Sequence, residues 1–119
     1  KIIELVKKYE LDGINIDFEN MYKEDKEVFS RFIIELEPRM NAIDKETTVD
    51  VTAPDGAEDW SMCYDRHVLG DVSDYIIFMA YDQYGEASVE PGTTSGYGWV
   101  KTNLNKFIET EEIESQKIV

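Results

Sequence analysis

Apolar residues along this chain switch between two spacings, and the order of the switches restricts the folds open to it. Ile2, Leu5, Val6 and Tyr9 recur at the three-to-four-residue spacing of a helix with one buried face. Leu11 to Asn20 (LDGINIDFEN) then alternates strictly, with Ile14, Ile16 and Phe18 on one parity and Asn15, Asp17 and Glu19 on the other. Helical spacing returns at Val28, Phe29, Phe32, Ile33, Leu36 and Met40, with Glu24, Asp25 and Glu27 near the positive N-terminal end. Thr47 to Ala53 reads as a second strand, stopped by Pro54-Asp55-Gly56. Trp60 to Leu69 is expected to hold a short helix ending at Gly70, and Tyr75 to Tyr81 (YIIFMAY) a strand buried on both faces. A long surface loop is expected over Gly85 to Gly98. Trp99, Val100, Leu104, Phe107 and Ile108 predict a last helix, and Lys117-Ile118-Val119 the start of another strand.

Such alternation implies parallel strands joined by helical crossovers. Two α/β architectures satisfy it: an open doubly wound sheet, or part of a (β/α)8 barrel. A full barrel needs about 250 residues, so 119 residues supply only some of one. No Gly-rich turn follows any strand, which weakens a nucleotide-binding sheet. Residues 1–119 are read as one segment without an internal boundary. The chain opens at Lys1 inside an amphipathic pattern, and is expected to be a piece of something longer.

Composition narrows the partners. With 26 acidic against 12 basic residues the formal charge is -14, which argues against a nucleic-acid backbone and an anionic membrane as ligands. At 42% hydrophobic and 12% aromatic, the chain is too apolar for a disordered acidic tail. Cys63 is the single cysteine, so an intrachain disulfide is excluded. No apolar run approaches the roughly 20 residues of a membrane span. The only histidine, His67, has no partner spacing for a triad or a zinc site, and no calcium-loop spacing occurs. Neither a metal nor a cofactor is expected.

The alternating stretch poses the functional question. In a parallel sheet both faces are normally covered, so a row of Asn15, Asp17 and Glu19 opposite the helix-packed face is expensive unless paired or wetted by a cleft. Glu19 and Asn20 fall at the C-terminal end of the strand, where parallel α/β folds build their active sites. The competing reading is an antiparallel or edge strand whose polar face meets water. The crossover order favours the first.

Asp12 to Glu19 (DGINIDFE) resembles the DGxDxDxE signature of glycoside hydrolase family 18, which includes chitinases and related N-acetylglucosaminidases. Phe78 to Asp82 (FMAYD) is similar to that family's second motif, MxYD, on a later barrel strand. Pro91-Gly92 and Gly96 to Val100 (GYGWV) resemble the branch of bacterial spore-cortex and cell-wall glucosaminidases. The resemblance runs over essentially the whole chain and implies the middle of a (β/α)8 barrel: about three parallel strands with flanking helices. Asn15 departs from the pattern, standing where the family usually has its middle aspartate, and is read as a branch feature.

By that resemblance the full-length protein cleaves β-linked N-acetylglucosaminyl bonds in an N-acetylated glycan of peptidoglycan or spore cortex, outside the cell, in the wall or the spore envelope. The alternatives are a chitinase, or a lectin that keeps the pocket without cleaving. The resemblance implies a substrate-assisted retaining mechanism. Glu19 is the general acid, Asp17 orients the acetamido group, Tyr81 donates its hydroxyl to it, and Asn15, Asn20, Met79 and Asp82 shape the subsite. Without the motif, Tyr81 and Met79 would be core residues, Asp82 a cap, and Trp60, Tyr97 and Trp99 packing anchors instead of sugar platforms. The segment alone is expected to be inactive and to self-associate through unpaired strand edges.

Overall fold

The computed structural model describes residues 1–85 and 88–119. Helices and strands alternate as α1 (Ile2–Tyr9), β1 (Gly13–Ile16), α2 (Lys26–Asn41), β2 (Glu46–Val51), α3 (Arg66–Val72), β3 (Tyr75–Phe78) and α4 (Tyr97–Glu109). Single 3-10 turns stand at Lys23–Asp25 and Ser115–Lys117. Among the described residues the three strands form one parallel sheet in the order β1-β2-β3. Ile14, Asn15 and Ile16 stand opposite Thr47, Thr48 and Val49, and Val49 and Val51 opposite Ile76 and Phe78.

Period-2 alternation puts Ile16, Val49, Val51, Ile76 and Phe78 on one face, all buried. Against them pack Phe29, Ile33, Leu36 and Met40 of α2, Leu69 of α3 and Phe107 of α4, forming one apolar core. Burying an aliphatic side chain of this size contributes about 1.5–3 kcal/mol. Gly13 lets β1 approach β2 closely, because a Cβ there would meet the Glu46 carbonyl oxygen at 2.7 Å.

Several boundaries and faces differ from the sequence expectations. Tyr75 to Tyr81 is buried mainly on its helix side: on the other, Tyr75 and Tyr81 are exposed and Ile77 half-exposed, and only Met79 is buried. Val28, expected on the buried face of α2, is 70% exposed, and Leu5 and Tyr9 of α1 face outward. α1 instead inserts Val6, with Ile2 and Ile3 beside Phe32 and Leu36 of α2. The helix expected over Trp60–Leu69 starts at Arg66 and runs through Gly70 to Val72. Side-chain bonds hold the preceding stretch in turns: the Thr52 hydroxyl donates to the Trp60 carbonyl (3.0 Å) and the Ser61 hydroxyl to that of Ala53 (2.9 Å). Asp65 then caps the helix, accepting from the Val68 N–H. Gly70 lies inside this helix, and its missing side chain makes room for Ile113, which packs 2.8 Å from where a Cβ would stand.

The expected loop over Gly85–Gly98 ends two residues earlier, as α4 opens at Tyr97; Glu86 and Ala87 within it lie outside the described residues. At the C-terminus, Ile118 bridges Ile76 in parallel, as the strand-like Lys117-Ile118-Val119 predicts. No described helix is long and apolar enough to cross a membrane.

Candidate active site

β1 ends at Ile16, so Asp17, Phe18, Glu19 and Asn20 extend beyond the sheet. Two anchors hold this extension. Phe18, although 48% exposed, stacks on Phe32 (centroids 5.7 Å, 7° between planes) and tilts against Phe29. On the other side the buried Tyr64 hydroxyl donates to the Phe18 carbonyl at 2.8 Å. Burial pushes the Tyr64 phenol well above the ordinary tyrosine range, and the nearby charges of Glu19 and Asp17 add to it, so it stays a donor. Asn20 then takes a left-handed conformation (φ 56°) that turns the chain toward α2.

The second motif leaves the sheet in the same way. Met79 continues the ladder by donating its N–H to the Val51 carbonyl (3.0 Å), and Asp82 turns left-handed (φ 61°). Residues 80–83 are tied to the returning loop. The Ser95 hydroxyl donates to the Ala80 carbonyl (2.6 Å), the Gln83 N–H to the Thr94 carbonyl (2.9 Å), and the Asp82 N–H to the Thr94 hydroxyl (3.2 Å). Tyr81 is 49% exposed, and Met79 is buried yet lies outside the main apolar core.

Both motifs thus leave the same, C-terminal end of the sheet, from β1 and β3 on either side of β2. The Tyr81 phenol is raised above its ordinary pKa, first by partial desolvation and then by the charges of Glu19, Asp17, Asp50 and Asp82. Four carboxylates thus act on one phenol from this end of the sheet. Asp17 and Glu19 are exposed, and among the described residues neither forms a salt bridge or a side-chain hydrogen bond. They are free to meet a ligand.

Asn15, one layer deeper, is committed. Its carboxamide donates to Asp50 Oδ1 (2.6 Å) and to the Thr48 hydroxyl (2.9 Å) on β2. Asp50 and Tyr64 belong to this site and escaped the sequence reading: Asp50 sits in a strand-like run without a motif, and Tyr64 reaches Phe18 across 46 residues. Below the site, buried Arg66 donates to the carbonyls of Thr52 and Ala53 and to the Thr52 and Ser61 hydroxyls, clamping the end of β2. Of the aromatic candidates, Trp99 packs on Phe78 and Trp60 donates its indole N–H to Asp55, whereas Tyr97 stays exposed. Cys63 is buried and its thiol is pushed up by desolvation. Among the described residues no group of three His, Cys, Asp or Glu is placed to hold a metal ion.

The model of Glycosyl hydrolases family 18 matches residues 1–119. The chain belongs to that family. It is 34% identical over 122 residues to the uncharacterized glycosylase YvbX of Bacillus subtilis, covering 100% of this chain and 35% of that protein. It is 28% identical over 105 residues to the cortical fragment-lytic enzyme of Bacillus anthracis, covering 87% of this chain and 24% of that one. Among solved structures, a chitinase from Chromobacterium violaceum superposes with a TM-score of 0.91 at 29% identity, over 99% of this chain and 37% of that one. The chain thus spans about a third or less of its relatives' lengths. Its three parallel strands and their helices are part of the family's (β/α)8 barrel. The open face carrying Asn15, Asp17 and Asp50 is the barrel interior, which explains why polar residues on these strands lack an apolar cover.

Proposed function

We propose that the full-length protein hydrolyses β-linked N-acetylglucosaminyl bonds of peptidoglycan or spore cortex, with net retention and participation of the substrate's own acetamido group. The observation that carries this reading is that Asp17, Glu19 and Tyr81 follow the C-terminal ends of β1 and β3 on one edge of the sheet, with both carboxylates unpaired among the described residues. Glu19 protonates the leaving glycosidic oxygen as the acetamido carbonyl oxygen attacks the anomeric carbon. Asp17 orients the acetamido group, and the Tyr81 hydroxyl, its pKa raised by partial desolvation and then by the surrounding carboxylates, donates to the acetamido oxygen. The Glu19 carboxylate then takes a proton from the water that opens the cyclic intermediate. Asn20, Met79 and Asp82 shape the same subsite, and Asn15 supports it from below.

The similarity to the cortical fragment-lytic enzyme of Bacillus anthracis supports a cell-wall or spore-envelope substrate and action outside the cytoplasm. A chitinase is the second reading, favoured by the close superposition on the Chromobacterium enzyme. Retention of both Asp17 and Glu19 argues against a purely carbohydrate-binding role. The test is release of reducing ends from purified peptidoglycan and from chitin oligomers, comparing wild type with Glu19→Gln. Loss of at least a hundredfold is expected, on the usual weight of a general acid. Equal rates would remove Glu19 from the role, and preference for chitin oligomers would favour the second reading.

A further inference from the structure

Asp50 carries a charge on the barrel-interior face that no motif accounts for. The register pairs Asn15 with Thr48 and Ile16 with Val49, so the chain continued one step past the end of β1 brings Asp17 alongside Asp50 of β2. Both belong to the parity opposite the buried Ile16, Val49 and Val51, and therefore face the interior together. Asp50 has no cationic partner among the described residues. Its Oδ1 accepts from Asn15 Nδ2 at 2.6 Å, while the same amide donates its other hydrogen to Thr48. A carboxamide with both hydrogens committed is fixed in orientation, and it fixes Asp50 in turn.

We propose that Asp50 is a positioning residue of this site, supplying a fixed negative charge beside Asp17 through its hydrogen bond from Asn15. Two consequences follow from that charge. Repulsion makes it costly for the Asp17 carboxylate to lean toward β2 and turns it toward Tyr81 and Glu19, where the acetamido group is received. The same fixed anion lies beneath the sugar when positive charge develops at its anomeric centre, and so stabilises the transition state more than the bound substrate. Tyr81 feels Asp50 alongside Asp17 and Glu19, as expected of a charge that reaches the reacting layer.

The inference rests on the hydrolytic reading above, and the experiment separates the two. In the full-length protein, Asp50→Asn keeps the shape and an acceptor for Asn15 but removes the charge. Its kcat for reducing-end release from purified peptidoglycan is expected to fall about tenfold, with KM changed less than about twofold and melting temperature unchanged. The double variant Asn15→Asp with Asp50→Asn moves the carboxylate to the facing strand with the amide donating in the reverse sense, and should recover most of the loss. Asp50→Asn with wild-type kcat, or a loss that the double variant does not repair, overturns the role of Asp50. Should Asp50→Asn fail to fold, the double variant decides alone: active supports the role, inactive overturns it. Retained activity in Glu19→Gln would instead overturn the hydrolytic reading, whatever Asp50 does.

Discussion

The two faces of this sheet share a backbone and little else. On the helix side, Ile16, Val49, Val51, Ile76 and Phe78 are buried in one apolar core with α2, α3 and α4. On the interior side, Asn15, Asp17, Asp50 and Tyr81 lie exposed or half-exposed, tied by directed hydrogen bonds and charge. The first face stabilises by area removed from water, so what matters is volume and apolarity. The second does little for stability and depends on which atom points where. Successive residues of a strand serve opposite purposes, and Val49 and Asp50 are the sharpest case.

That pair offers the strongest test. Val49→Asp buries an unpaired carboxylate and is expected to cost more than about 4 kcal/mol, whereas Asp50→Val should stay within about 1 kcal/mol. Denaturant titration of the two variants measures both, and similar costs would erase the distinction between the faces. Tyr64→Phe probes the junction of the two regimes, since this core residue holds the Phe18 carbonyl next to Glu19. It should cost about 1 kcal/mol in stability. The larger readout should be a reduced kcat at little-changed KM, and wild-type kcat would mean the extension is held by Phe18 stacking alone.

The smallest effect belongs to the surface. His67 is raised above its ordinary pKa by its hydrogen bond to the Glu111 carbonyl and by the nearby charge of Asp71. A raised folded-state value means the contribution is fully present below the unfolded pKa of about 6.5 and is lost as pH rises through the folded value. The melting-temperature difference between wild type and His67→Asn should therefore be greater near pH 5.5 than near pH 8, a modest change for so exposed a pair. An equal difference at both would show that protonated His67 adds nothing.

Much of this was legible before any coordinates. The switch between spacings determined the parallel α/β layout, and strict alternation determined that Asn15, Asp17 and Glu19 share a face, because side-chain direction follows local periodicity alone. The two motifs marked Glu19, Asp17 and Tyr81 as candidates, which is as far as sequence carries their roles. Other features were beyond that reading. Periodicity predicted Leu5, Tyr9 and Val28 as buried, but a helix face is covered only where a neighbour meets it, and the crossovers set that. Asp50 looked like any strand aspartate until the register laid it against Asn15, 35 residues away. Tyr64 likewise reached the site only by folding. Register and packing are non-local, fixed by loop lengths and by how α2 and α3 seat on the sheet. The sequence by itself therefore determined which chemistry each strand carries, and the tertiary structure alone decided which carboxylates stand together.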